Sequence, residues 1–160
     1  MFDFIFGLPM HALVIHAVVV LVPLAAIVAI AFAVLPLWRP VLRWPTAAGA
    51  LLSGVMAWVA VASGETLLSR VSRARPTTTD FELVQTHVDR GYMVRILATV
   101  FMVLALAAVA ILKPPGEDAP RRRPLELLVS ILVVLSSVAV LTTVVLAGHA
   151  GSAAVWSDVG

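Results

Sequence analysis

The sequence predicts an all-α integral membrane protein, a four-helix bundle running up-down-up-down, and three observations carry that expectation. Hydrophobic residues make up 61% of the 160 residues and charged residues 12%, whereas a water-soluble domain averages about 25% charged residues. Four separate apolar stretches each approach the roughly 20 residues that a helix needs to cross a hydrocarbon layer about 30 Å thick. The eleven Lys and Arg side chains are confined to the links and helix ends, so lipid is the solvent for most of the chain.

The first span is expected over residues 8–35. Its Ala31-Phe32-Ala33 ending imitates a signal-peptide cleavage site. The flank before it carries Asp3 and no cation, however, and the run is too long for a signal h-region, so the segment reads as a retained helix. Pro36 and Pro40 close it, and a short link through Trp38, Arg39, Arg43 and Trp44 makes a tight helical hairpin. The second span is expected over 46–63, with Gly49, Ser53 and Gly54 allowing close helix approach. It continues as a polar helix to Arg75, where Pro76 stops it.

Thr79-Asp80-Phe81-Glu82 has the spacing of a capping box, which starts a third helix near Asp80. Its first turns are polar, through Glu82, His87, Asp89, Arg90 and Arg95, and its membrane span covers about 91–112. The link that follows holds Pro114, Pro115, Gly116 and Pro120 before Arg121, Arg122 and Arg123. The fourth span runs over about 125–148, and the tail to Trp156 returns to the interface, where tryptophan is favoured.

Cation asymmetry orients the bundle. The links joining spans one to two and three to four carry Arg39, Arg43, Lys113 and Arg121 to Arg123, against Arg70, Arg73, Arg75, Arg90 and Arg95 on the other side. The flanks of the first helix, no cation before and two after, place both termini outside a cell inner membrane.

Composition also removes several function classes. The positive charge lies where membrane flanks put it and is no nucleic-acid footprint. With no cysteine, thiolate metal sites, iron–sulfur clusters and covalent haem attachment are excluded. No nucleophile and base share a convincing spacing, no phosphate loop occurs, and Ser130, Ser136, Ser137, Thr142 and Thr143 read as helix-packing hydroxyls, so no catalytic residue is expected.

Antiparallel threading puts His11, His16, His87 and His149 at the same, outer end of the bundle. An ionisable residue inside a membrane is by default a functional candidate. His11 and His16 are five residues apart, about 7.5 Å along the helix and about 140° around it, so each faces a different neighbour or a different depth and pairs across the bundle with His87 or His149. His16, deep in an apolar run, is the one that most needs a partner. Histidines from facing helices hold haem b in helical bundles, and Arg90 or Arg95 then neutralises the propionates. Together with Glu65 in Ser63-Gly64-Glu65, the same four histidines make a zinc or copper set.

Phe6-Gly7-Leu8-Pro9 with His11, Val14-Ile15-His16-Ala17, Pro23, Ser63-Gly64-Glu65, His87 and Gly148-His149-Ala150-Gly151 resemble the bacterial membrane family catalogued as domain of unknown function 2231. The resemblance covers the whole chain and implies four spans, with family histidines at His11, His16, His87 and His149 and an acidic position at Glu65. It supplies no activity, although similar modules joined to Rieske-type or cytochrome domains tilt the expectation toward redox work. One departure is Ala12, where the family often has proline.

The leading expectation is therefore a haem b-binding electron-transfer protein serving a quinone or a Rieske-type or cytochrome partner. Alternatives are zinc or copper binding for sensing, delivery or assembly, and a structural subunit or homo-oligomer packed through Gly49, Ser53 and Gly54.

Overall fold

The computed structural model describes residues 4–5, 7–74, 81–116 and 123–156. A minimal antiparallel turn, β1 (Phe4–Ile5) against β2 (Leu8–Pro9), leads in, with Gly7 at φ +79°. Four helices follow: α1 (Met10–Val34), α2 (Arg39–Ala74), α3 (Phe81–Ile111) and α4 (Arg123–Trp156). All four are long and apolar enough to cross a membrane. They form an all-α bundle in which α1 and α3 each pack on α2 and α4, and the α1–α3 diagonal scarcely touches.

The helices outrun the expected spans. α2 has 36 residues, about 54 Å at 1.5 Å per residue, well beyond the hydrocarbon thickness. It starts at Arg39 rather than near Thr46, because a single 3-10 turn over Pro36–Trp38 makes the whole connection. Pro40 then falls in the first helical turn, where a missing N–H breaks no bond. α4 stays helical through Gly148, His149 and Gly151 to Trp156. The third helix starts at Phe81, next to the expected Asp80. Arg75, Pro76, the Thr79 cap and the Arg121–Arg122 pair lie outside the described residues.

The core is built mainly from alanine and valine, with Phe32 and Phe101 as its large members. Val14, Val18, Val22, Ala25, Ala26, Ala29 and Phe32 form the inward stripe of α1, and Val94, Ala98, Phe101, Ala105 and Ala108 that of α3. Large apolar residues such as Leu24, Ile27, Trp58, Leu127 and Leu135 face outward. This follows from lipid as solvent: hydrocarbon gives leucine no reason to hide, whereas small residues gain close backbone packing. A Cβ built on Gly49 would lie 3.0 Å from Cβ of Ala25 in α1, and one on Gly54 would lie 2.5 Å from Sδ of Met102 in α3. The small residues expected to join two copies of the chain are therefore used inside one bundle.

At the end holding the α1–α2 connection, Arg39 is buried and works as a staple. Its Nε and Nη2 donate to the carbonyls of Phe32 and Ala33 at 3.3 Å, and Nη1 donates to Lys113 O at 3.0 Å. The last carbonyls of α1 have no partner within their own helix, and a cation there is also favoured by the helix dipole.

Candidate functional site

The opposite end of the bundle brings together the start of α1, the later turns of α2, the start of α3 and the end of α4. Measured back from Ala33, His11 stands about 33 Å from the Arg39 end, just past the edge of a 30 Å hydrocarbon layer. His11 and His87 meet across the α1–α3 diagonal. Their ring centres are 6.2 Å apart and their planes cross at 74°, edge to face. Both are partly buried.

Each imidazole is seated on the partner helix of its own hairpin. His11 Nδ1 lies 3.0 Å from the carbonyl oxygen of Ala60 and 3.2 Å from Ser63 Oγ. His87 Nδ1 lies 3.0 Å from the carbonyl oxygen of Ala147. A carbonyl only accepts, so Nδ1 carries the proton in both rings. In the neutral imidazoles Nε2 is then left with its lone pair.

Glycine explains why a mid-helix carbonyl is reachable at all. A helical side chain leans toward the N-terminus and covers the turn before it, so the residue four positions on shields a carbonyl. Gly64 follows Ala60 by four residues, and Gly151 follows Ala147 likewise. A Cβ on Gly64 would stand 2.9 Å from His11 Cε1, and one on Gly151 would stand 3.0 Å from both Cε1 and Nδ1 of His87. The two hairpins thus contain one device, Ala-x-x-x-Gly receiving a histidine from the preceding helix.

The remaining expected site residues are placed elsewhere. His16 is exposed on the lipid-facing side of α1 and bonds through Nδ1 to Ala12 O in its own helix. His149 is exposed on α4. The structure therefore brings His11 to His87 and leaves His16 and His149 apart from them. Glu65 is exposed and accepts the Tyr92 hydroxyl at 2.8 Å. Arg90 donates to Leu146 O at 2.7 Å, one residue before the carbonyl that holds His87. Arg95 turns toward α2, its Cζ lying over the Trp58 ring at 4.7 Å from the centre and over the Tyr92 ring of its own helix at 5.0 Å.

Two imidazoles sharing one metal centre each add a bond of about 2 Å and about 1 Å more to the ring centre, so the centres stand roughly 5–6.5 Å apart. The observed pair satisfies that spacing. Among the described residues no group of three or more His, Asp or Glu is arranged to hold a metal ion. Sequence reasoning missed Ala60, Ser63, Ala147 and Gly151 as parts of the seats; the repeated four-residue interval from alanine to glycine was the available signal.

A family model described as a predicted membrane protein (DUF2231) matches residues 7–160. No curated protein and no solved structure matches the chain.

Proposed function

We propose that this chain, which belongs to the predicted membrane protein family DUF2231, is a haem b-binding electron-transfer protein whose iron ligands are His11 and His87. The observation that carries the reading is the pair itself: two imidazoles 6.2 Å apart, each with Nδ1 3.0 Å from a backbone carbonyl oxygen. Locking one ring nitrogen fixes the tautomer and the ring orientation and makes the other nitrogen a better ligand, the arrangement found around protein metal centres generally.

A two-histidine set favours haem over a lone ion. Structural zinc takes four protein ligands and catalytic zinc three, whereas haem brings four nitrogens of its own and would need no more than the two imidazoles His11 and His87 from the chain. When bound, haem supplies a one-electron couple. The chain holds the two imidazoles on glycine seats and places Arg90, anchored on α4 beside the His87 seat, as the nearest candidate to balance propionate charge. Electron exchange is confined to the end of the bundle that holds the pair, with a quinone or a Rieske-type or cytochrome protein as partner. The flanks of the first helix, with no cation before it and two after, support that end and both termini lying outside a bacterial inner membrane.

The test is the absorption spectrum of detergent-purified protein produced with haem precursors, before and after dithionite. Wild type is expected to show a Soret band that shifts on reduction. His11→Ala and His87→Ala are expected to lose the low-spin signature, and His16→Ala and His149→Ala to keep it. A featureless spectrum sinks the haem reading, and stoichiometric zinc or copper in the same sample would replace it with a metal-binding one.

A further inference from the structure

The α2–α3 surface carries a second constellation that the histidine pair does not use. Arg95 is flanked by two aromatic rings, Trp58 at 4.7 Å and Tyr92 at 5.0 Å. Each ring is pinned by its own hydrogen bond. Trp58 Nε1 donates to Thr99 Oγ1 at 3.0 Å, and Thr99 in turn donates to Arg95 O at 2.8 Å. The Tyr92 hydroxyl donates to Glu65 at 2.8 Å. The guanidinium is thus oriented by walls that are themselves fixed, and these two ring contacts are its only interactions among the described residues.

Its position in the membrane defines what can reach it. From Leu112 back to Arg95 the chain rises about 25 Å, so the guanidinium sits near the outer edge of the roughly 30 Å hydrocarbon layer, at the level of lipid headgroups. Trp58 beside it is exposed, at the depth where tryptophan is enriched. Glu65, the nearby carboxylate, lies about 10 Å further along α2 than Trp58 and is occupied by Tyr92.

We propose that this face binds the phosphodiester of an anionic membrane lipid, with Arg95 as the anion-binding group and Trp58 and Tyr92 as the walls that orient it. Guanidinium offers paired N–H donors in a rigid plane that matches two phosphate oxygens, which a lysine ammonium does not. Cation–π contact with the two rings uses none of the guanidinium N–H donors as hydrogen bonds to them while restricting where the group can move. A lipid needs no further pocket, because its chains remain in the bilayer along the exposed side chains of Val55, Ile96 and Val103.

The experiment is native mass spectrometry of the full chain in detergent, titrated separately with phosphatidylglycerol, phosphatidylethanolamine and inorganic phosphate. One tightly held phosphatidylglycerol is expected, preferred over phosphatidylethanolamine, whose ammonium competes for its own phosphate. Arg95→Gln is expected to weaken it about ten- to hundred-fold, and Arg95→Lys and Trp58→Phe by less. Arg43→Gln, at the opposite membrane surface, should leave it unchanged. Equal lipid retention by wild type and Arg95→Gln overturns the proposal. So does inorganic phosphate binding as well as the lipid does, which would make the site a soluble-anion site. Should Arg95→Gln fail to fold, Arg95→Lys and Trp58→Phe decide the same question, and unchanged retention in both overturns it.

Discussion

In the first hairpin His11 rests on Gly64 and bonds to the Ala60 carbonyl; in the second, His87 rests on Gly151 and bonds to the Ala147 carbonyl. The surroundings of the two seats differ. Ser63 adds a hydroxyl under His11, donating to Ala60 O at 2.9 Å and standing 3.2 Å from Nδ1. The second seat has alanine in the corresponding place, Ala150, and instead gains Arg90, which bonds to the neighbouring carbonyl of Leu146. What the seats share is therefore the minimum needed to aim an imidazole: an exposed carbonyl and the absence of a side chain four residues later. What differs tunes each ring separately.

The sharpest way to break the likeness is to fill the seats. Gly64→Leu and Gly151→Leu should each expel the resting imidazole and destabilise the bundle by about 1–3 kcal/mol through overpacking. Thermal unfolding in detergent and nitrogen-15 shifts of the histidine rings should show equal effects for the two sites. A large effect at one site alone would mean that only one histidine is held by its glycine. A smaller change tests the difference instead. Ser63→Ala should cost about 0.5–1.5 kcal/mol and alter the His11 ring signals while leaving those of His87 in place. The smallest effects belong to the histidines outside the pair: His16→Ala and His149→Ala should stay within about 0.5 kcal/mol of wild type. A loss of several times that for His16→Ala would show that its lipid-facing position is not the one that matters.

Lipid dictated the fold and was visible in the sequence; rotation of the helices was not. Four apolar runs broken by Pro36, Pro76 and the Pro114–Pro115 pair left no alternative to four spans, since unsatisfied backbone groups are excluded from hydrocarbon. Within such a run every face is apolar, and periodicity says nothing about which side turns inward. His16 illustrates the consequence. Its apolar neighbours suggested burial, yet Val14, Val18, Val22, Ala25 and Ala29 set the inward face of α1 and leave His16 outside it. The rotation of about 140° between His11 and His16, which suggested a different bundle neighbour for each, instead carries His16 out of the bundle once His11 faces in. Carbonyl partners are invisible in a sequence because every residue has one; only the glycine that uncovers them leaves a mark. The start of α2 lies earlier than Pro36 and Pro40 suggest as breaks, because Pro40 sits in a first turn and Pro45 is accommodated within the helix.

The Arg39 staple has a consequence for the order in which the protein is assembled. Two of its acceptors, Phe32 and Ala33, belong to the same hairpin as the arginine, and the third, Lys113, belongs to the hairpin made later. A nascent first hairpin can therefore settle this cation with its own carbonyls as soon as α1 and α2 are threaded. The remaining Nη1 group stays at the water boundary until α3 arrives. Docking of the second hairpin is then registered at the base of the bundle by the Arg39–Lys113 bond, with Ser130 Oγ also reaching Ala33 O at 3.5 Å, at the end far from the two histidines that the same docking event brings together.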